Sequence, residues 1–163
     1  MESSQKESFV THLNQNLGIA HKICRVYFTD DDDRQDAFQE MMYQLWNSFP
    51  AFKGKSKFST WMYQVCLNTA MTFRRKNKRN EELLLNSHNQ IADQPSDSEE
   101  DIELLLKAIG TLSVLNKAII LLYLEEMSYD EIAGITGLSK ANVSVKLVRI
   151  KRELELIMKP HVK

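Results

Sequence analysis

The stretch NSHNQIADQPSDSEED (86–101) offers a folding chain very little to bury. It is polar and acidic, carries one proline, and has the composition of a tether rather than of a core segment. A tether at that position divides the 163 residues into two short lengths, each of which must close its own core. The rest of the chain can do so, since 43% hydrophobic with 26% charged residues is the balance of a soluble globular protein. The expected architecture is all-α, with two small helical domains at 1–80 and 102–163. A flexible acidic linker over 81–101 joins them, and the second domain contains a helix-turn-helix.

Helical spacing recurs on both sides of the tether. Phe9, Leu13, Leu17, Ala20, Cys24 and Tyr27 step by fours and threes and predict one face of a helix. DDDDRQ (30–35) interrupts that helix and supplies a negative N-terminus for the next, which suits the helix dipole. Phe38, Met41, Met42, Leu45, Trp46 and Phe49 form the stripe of this second helix, and Pro50 ends it. Ser59 or Thr60 is placed to cap a long helix through Met62, Val65, Cys66, Thr69 and Phe73. Beyond the tether, helices are expected near Ile102–Ile109, Val114–Leu124, Tyr129–Thr136 and Lys140–Met158.

The net charge of −1 argues for no partner, but its distribution does. Between Met41 and Asn80 there is no Asp or Glu, while Lys53, Lys55, Lys57, Arg74, Arg75, Lys76, Lys78 and Arg79 are basic. From Glu81 to Glu103 the pattern reverses, and Lys140, Lys146, Arg149, Lys151 and Arg152 make the end basic again. Two basic blocks separated by an acidic one suggest two surfaces that meet a polyanion. Other chemistry finds little support. His12, His21, His88 and His161 are scattered, Cys24 and Cys66 read as buried free thiols, and no metal or cofactor site is expected. The longest apolar run, Ala118–Leu124, is too short to span a bilayer, and MESSQKESFV lacks the apolar core of a signal peptide. A cytoplasmic protein without membrane insertion is expected.

MSYDEIAGITGLSKANVSVKLVRIKREL (127–154) carries the more specific signal. Ser128 with Glu131 forms a capping box, Ala133 is small where a second helix must cross closely, and Gly137 sits at a turn where positive φ is cheap. Ser139 caps the following helix, whose apolar face is Val143, Leu147, Ile150, Leu154 and Ile157. Lys140, Asn142, Ser144, Lys146 and Arg149 lie opposite and beside that face. Amide and cationic side chains on a second helix are what the major groove accepts. A plain helical hairpin with a solvated basic face would share some of these features. A helix-turn-helix alone leaves repressor, response-regulator output domain and initiation factor open.

FKGKSKFSTW (52–61) selects among them. Phe52, Phe58, Trp61 and Tyr63 lie beside Lys53, Lys55 and Lys57 and, a few helical turns on, Arg74 and Arg75. Rings on which unpaired bases stack, interleaved with cations that follow the backbone, suit single-stranded DNA better than duplex. The same rings would serve equally as core.

With both motifs in hand, residues 36–79 resemble the second region of bacterial sigma factors and 112–154 resemble their fourth. With only a tether between, the chain is similar to the extracytoplasmic-function (ECF) group. The resemblance implies a non-enzymatic chain that binds core RNA polymerase, recognises the minus-thirty-five and minus-ten promoter elements and promotes DNA opening. It implies docking on the polymerase through Asp36, Gln39 and Glu40. It places capture of a flipped base and of the single-stranded non-template strand on the Phe52–Phe58 loop with Trp61, Asn68, Arg74 and Arg75. Ser139, Lys140, Asn142, Ser144, Lys146 and Arg149 fall on the helix that reads the minus-thirty-five duplex. An anti-sigma partner, often membrane-bound in this family, is also implied.

Two departures stand out. Where ECF members usually carry Gly-Thr-Val-x-Ser-Arg, this chain reads ANVSVK (141–146), with Val145 for the serine and Lys146 for the arginine. Lysine neutralises a phosphate without the bidentate fork of arginine. Lys55 and Lys57 also make the loop more basic than in many members. The alternative reading is a polymerase-independent helix-turn-helix regulator that uses only the second domain.

Overall fold

The computed structural model describes residues 2–84 and 100–159, with positions 74–84 described through their backbone. Every regular element among the described residues is helical, and they fall into two compact units, Met1–Ile91 and Ala92–Lys163. Of the tether expected at 81–101, residues 81–84 continue α4 and 100–101 open α5, and the rest lies outside the described residues.

The first unit contains α1 (Ser3–Gln15), α2 (Leu17–Tyr27), α3 (Asp31–Ser48), a 3₁₀ turn (Phe49–Ala51) and α4 (Phe58–Leu84). The single helix expected from Phe9 to Tyr27 is broken. Asn16 leaves helical geometry at φ −126°, ψ 12°, and its Nδ2 donates to the His12 carbonyl at 2.7 Å. That local bond gives the backbone an alternative to the helical ladder. The apolar spacing survives the break, because Phe9, Ala20, Cys24 and Tyr27 are all buried.

α2, α3 and α4 pack on one another around Ile23, Met41, Leu45, Met62, Tyr63 and Leu67, none of which reaches solvent. Asp30 caps α3 by accepting from the Asp32 amide at 3.3 Å, and Asp31 to Asp33 occupy its first turn. Arg34 ties that turn back to α2: its Nε donates to the Phe28 carbonyl at 2.7 Å, and Asp31 flanks its guanidinium at 3.6 Å. Cys24 and Cys66 are buried in this core, where the Cys24 thiol donates to the Met41 sulfur at 3.7 Å.

α4 starts two residues earlier than Ser59 as a cap would require, and three earlier than Thr60. Phe58 is already helical and the Trp61 amide donates to the Lys57 carbonyl at 3.1 Å, so both hydroxyl residues sit inside the first turn. Burial of the Phe58 ring among its aromatic neighbours draws the helix start back to it.

The second unit contains α5 (Glu100–Gly110), α6 (Val114–Leu124), α7 (Tyr129–Thr136) and α8 (Lys140–Met158). Apolar α6 lies at its centre, in contact with α5, α7 and α8, and buries Ala118, Ile119, Leu121 and Leu122. The exit from α6 is a Schellman turn: the Glu126 amide donates to the Tyr123 carbonyl at 2.9 Å and the Met127 amide to the Leu122 carbonyl at 3.3 Å. Glu126 occupies its left-handed position at φ 61°, where glycine is the usual residue.

Candidate nucleic-acid interface

Each unit carries exposed cations on the surface that its sequence motif singles out. In the first, Phe49, Phe52, Phe58 and Trp61 form a continuous ring cluster. The Phe49–Phe52, Phe52–Trp61 and Phe58–Trp61 centroids are separated by 6.1, 5.1 and 5.3 Å. Phe9 reaches it from α1 at 5.0 Å from Phe49, and His12 stands edge-on to Phe58 at 5.2 Å. Such pairs prefer offset-stacked and edge-to-face arrangements, and Phe49–Phe52 is stacked while Phe49–Phe58 is edge-on. The cluster divides by exposure: Phe58 is 8% exposed and belongs to the core, whereas Phe52 and Trp61 keep part of each ring in solvent.

The loop 53–57 joins Phe52 to Phe58 in this cluster. Gly54 takes φ 72°, which turns the chain, and Lys53, Lys55 and Lys57 are all exposed. Three exposed lysines therefore adjoin two half-open rings along the chain, and cations interleaved with aromatic rings suit a nucleic-acid strand.

Beside them, α3 and α4 enclose a cleft of about 340 Å³ lined by Glu40, Gln44, Asn68, Thr69, Thr72 and Phe73. Gln44 Nε2 donates to Glu40 Oε1 at 2.9 Å. The Thr69 and Thr72 hydroxyls donate backwards to the Val65 and Asn68 carbonyls, at 2.8 and 2.9 Å. With their protons used locally, these hydroxyls present acceptor lone pairs to the cleft, which suits an amino group better than a phosphate.

The sequence-predicted residues of α3 separate accordingly. Asp36 and Gln39 are exposed on its outward strip, whereas Glu40 is half-buried and lines the cleft with Asn68. Tyr43, 59% exposed, continues the outward strip one turn beyond Gln39. Sequence reasoning passed over it, although 36, 39 and 43 share one helical face. Arg74 and Arg75 lie on the α4 backbone, and their side chains are outside the described residues.

In the second unit the helix-turn-helix is closed by its caps. Ser128 Oγ accepts from the Glu131 amide at 3.1 Å, and Glu131 Oε1 accepts from the Ser128 amide at 3.2 Å. Gly137 ends α7 at φ 80°, with its amide donating to the Ala133 carbonyl at 2.9 Å. Ser139 Oγ then accepts from the Asn142 amide at 3.1 Å and opens α8. Val143, Leu147, Ile150 and Leu154 anchor that helix. Asn142 and Arg149 are exposed, Ser144 and Lys146 are half-buried, and Lys140 reaches Asp130 of α7 at 3.6 Å. Lys151 is held by Tyr123, whose hydroxyl accepts from Nζ at 2.8 Å. The centre of the outward face is apolar: Val145 and Val148 are 50% and 60% exposed.

An exposed lysine loop beside half-open rings and a capped helix-turn-helix, one in each unit, are features of an all-α DNA-binding protein. Residues 12–80 match the Sigma-70 region 2 family model and residues 102–154 match Sigma-70, region 4. The chain belongs to the sigma-70 family of RNA polymerase sigma factors, in its extracytoplasmic-function group. Among curated relatives, the ECF RNA polymerase sigma-E factor of Haemophilus influenzae is 27% identical over 82% of this chain and 78% of its own length. The RNA polymerase sigma factor SigV of Bacillus subtilis is 25% identical over 91% and 89%. Among solved structures, the sigma factor RpoE of Bartonella quintana, in complex with the anti-sigma factor NepR, superposes with a TM-score of 0.80. It is 21% identical, covering 94% of this chain and 98% of that one. CnrH, in complex with the cytosolic domain of CnrY, gives a TM-score of 0.68 at 16% identity, over 96% and 91%. The polymerase-independent regulator is not favoured, because family likeness extends through both units rather than the helix-turn-helix alone.

Proposed function

We propose a division of labour for this sigma factor, residue by residue. The outward strip of α3, running from Asp36 through Gln39 to Tyr43, docks on core RNA polymerase. An exposed tyrosine among polar groups is a frequent interface anchor. Glu40 sits where the docking face passes into the cleft. The loop Lys53, Lys55 and Lys57 holds the backbone of the unpaired non-template strand while Phe52 and Trp61 stack its bases. Phe58 supports them from the core, and Asn68 offers an amide to a base edge in the cleft. Arg74 and Arg75 extend the cationic track along α4. In the second unit, Ser139, Lys140, Asn142, Ser144, Lys146 and Arg149 position α8 in the major groove of the minus-thirty-five element.

The segment between α4 and α5 tethers the two readers, so that modest affinities combine through effective concentration. The chain acts by binding, without catalysis of its own, in the cytoplasm; among the described residues no helix is long and apolar enough to cross a membrane. A protein partner of the anti-sigma kind, as NepR is for RpoE of Bartonella quintana, holds it inactive by covering these surfaces.

The observation that carries this reading is the exposed lysine loop joining the half-open ring cluster to α4, in the same unit as the α3 strip. Transcription reconstituted from the full chain and core polymerase tests it. Initiation at a defined start that depends on the added chain is expected. A chain that neither binds core nor supports initiation, yet shifts duplex DNA alone, would overturn it.

A further inference from the structure

We infer that Val145 is a base-reading residue, its methyl groups meeting the 5-methyl of a thymine on the floor of the major groove. This deepens the promoter reading and rests on it. At 3.6 residues per turn, Ala141, Val145 and Val148 fall on one strip of α8, opposite the buried Val143, Leu147 and Ile150. The strip is in solvent: Ala141 is exposed, and the two valines are 50% and 60% exposed. Asn142, Lys146 and Arg149 line one side of it and Lys140 with Ser144 the other.

An apolar centre between two polar, cationic margins matches a groove whose walls are phosphate and whose floor carries the thymine methyl. The margins argue for DNA over a protein partner, which would have no need of cations on both sides. Valine is also an economical probe. In a helix its χ1 is almost confined to one rotamer, so little side-chain freedom is lost when its methyls make contact. It lacks the hydroxyl that a serine would offer to any base, so the position reads shape and methyl content only. Among the described residues, Val145 meets solvent in the first two turns of α8, the part of a recognition helix that faces base edges.

Holoenzyme made from core polymerase and the full chain is used to select promoter fragments randomised in the upstream element. The same selection is run with Val145→Ser and Val145→Thr. Thymines enriched by the native chain are then replaced singly by deoxyuridine, which removes only the methyl. One enriched thymine is expected to lose about fourfold in affinity on becoming deoxyuridine, the worth of one buried methyl. Val145→Ser should be indifferent to that change, while Val145→Thr, which keeps one methyl, should retain part of the discrimination. Val145 is half in solvent, so neither variant disturbs the core. An enriched element that tolerates deoxyuridine throughout, or keeps every thymine preference in Val145→Ser, overturns the valine contact alone. A selection that enriches no upstream element overturns it together with the promoter reading.

Discussion

Replacing Lys53, Lys55 and Lys57 together by alanine separates electrostatic capture of the strand from every other role of the loop. All three ammonium groups are exposed, and among the described residues none is held in an ion pair. Each is therefore free to replace a condensed counterion on a phosphate. For single-stranded DNA the salt slope is about 0.7 per phosphate neutralised, so three contacts contribute about 2 to the slope. Over a fourfold rise in salt, from about 50 to 200 mM, that slope changes affinity by roughly 18-fold. The assay is equilibrium binding of the holoenzyme to a promoter fragment carrying a pre-melted minus-ten segment, measured across that range. The triple variant should bind more weakly at low salt, and its curve should be flatter by about 2. Its affinity for core polymerase should be unchanged, because the α3 strip is untouched. A full-strength slope with reduced affinity would refute the reasoning, since the lysines would then act on loop conformation. Equal loss of core binding would refute it as well.

The ring cluster gives a second outcome. Phe49 contacts Phe9, Phe52, Phe58 and Trp61 and is half-buried, so Phe49→Ala should cost the first unit about 2–3 kcal/mol, below the range for a fully buried ring. Trp46 and Trp61 are the two tryptophans of the chain, so fluorescence during urea unfolding reports this unit alone, and a loss under about 0.5 kcal/mol would contradict the packing. Two left-handed positions in the second unit should respond in opposite senses: Glu126→Gly should stabilise it by about 1 kcal/mol and Gly137→Ala destabilise it by about 1–2 kcal/mol. No neighbour lies within 4 Å of a Cβ built on Gly137, so backbone strain is the whole effect, and thermal melts showing the same sign for both would exclude it. Burial pushes the Cys24 thiol up from 9.0 to about 11, and burial together with nearby Cys24 pushes Cys66 to about 12. The unfolded chain therefore releases these protons first, and stability present below pH 9 is lost as pH rises through about 11 to 12, by up to about 1.4 kcal/mol per pH unit for each thiol. Cys24→Ala and Cys66→Ala should each flatten that alkaline decline of the urea midpoint, and an undiminished decline in both would place its origin elsewhere.

How much could be read from sequence follows the range of the forces involved. Ser128 with Glu131, Gly137 and Ser139 act within three or four residues of themselves, so the helix-turn-helix was legible before any tertiary contact was known. The apolar face of α8 was legible for the same reason. Asn16 was missed because its bond to His12 competes with a helical pattern that continues on both sides. Glu126 was missed because nothing in a glutamate announces a left-handed turn; the cap is imposed by the burial of α6 below it. Phe58 and Trp61 were equivalent as letters, and only packing against Phe49 and Phe52 puts one in the core and leaves the other half open. Glu40 and Asn68 are far apart in the chain, and their shared cleft exists only once α3 lies on α4.

The two surfaces differ in what they can discriminate, and that difference assigns their order of influence. Three lysines on a loop read charge and neutralise any strand alike, with a strength that falls steeply as salt rises. A valine strip reads a methyl group through contact that salt hardly alters, because no counterion is released when apolar surface is buried. The discrimination between thymine and deoxyuridine upstream should therefore hardly change as ionic strength increases, although the cations beside the strip make overall binding there fall with salt as well. A holoenzyme in high salt would still distinguish thymine from deoxyuridine upstream while losing its hold on melted DNA. Restoring low salt should recover opening without changing the upstream preference, since the property lost was attraction and the property kept was shape.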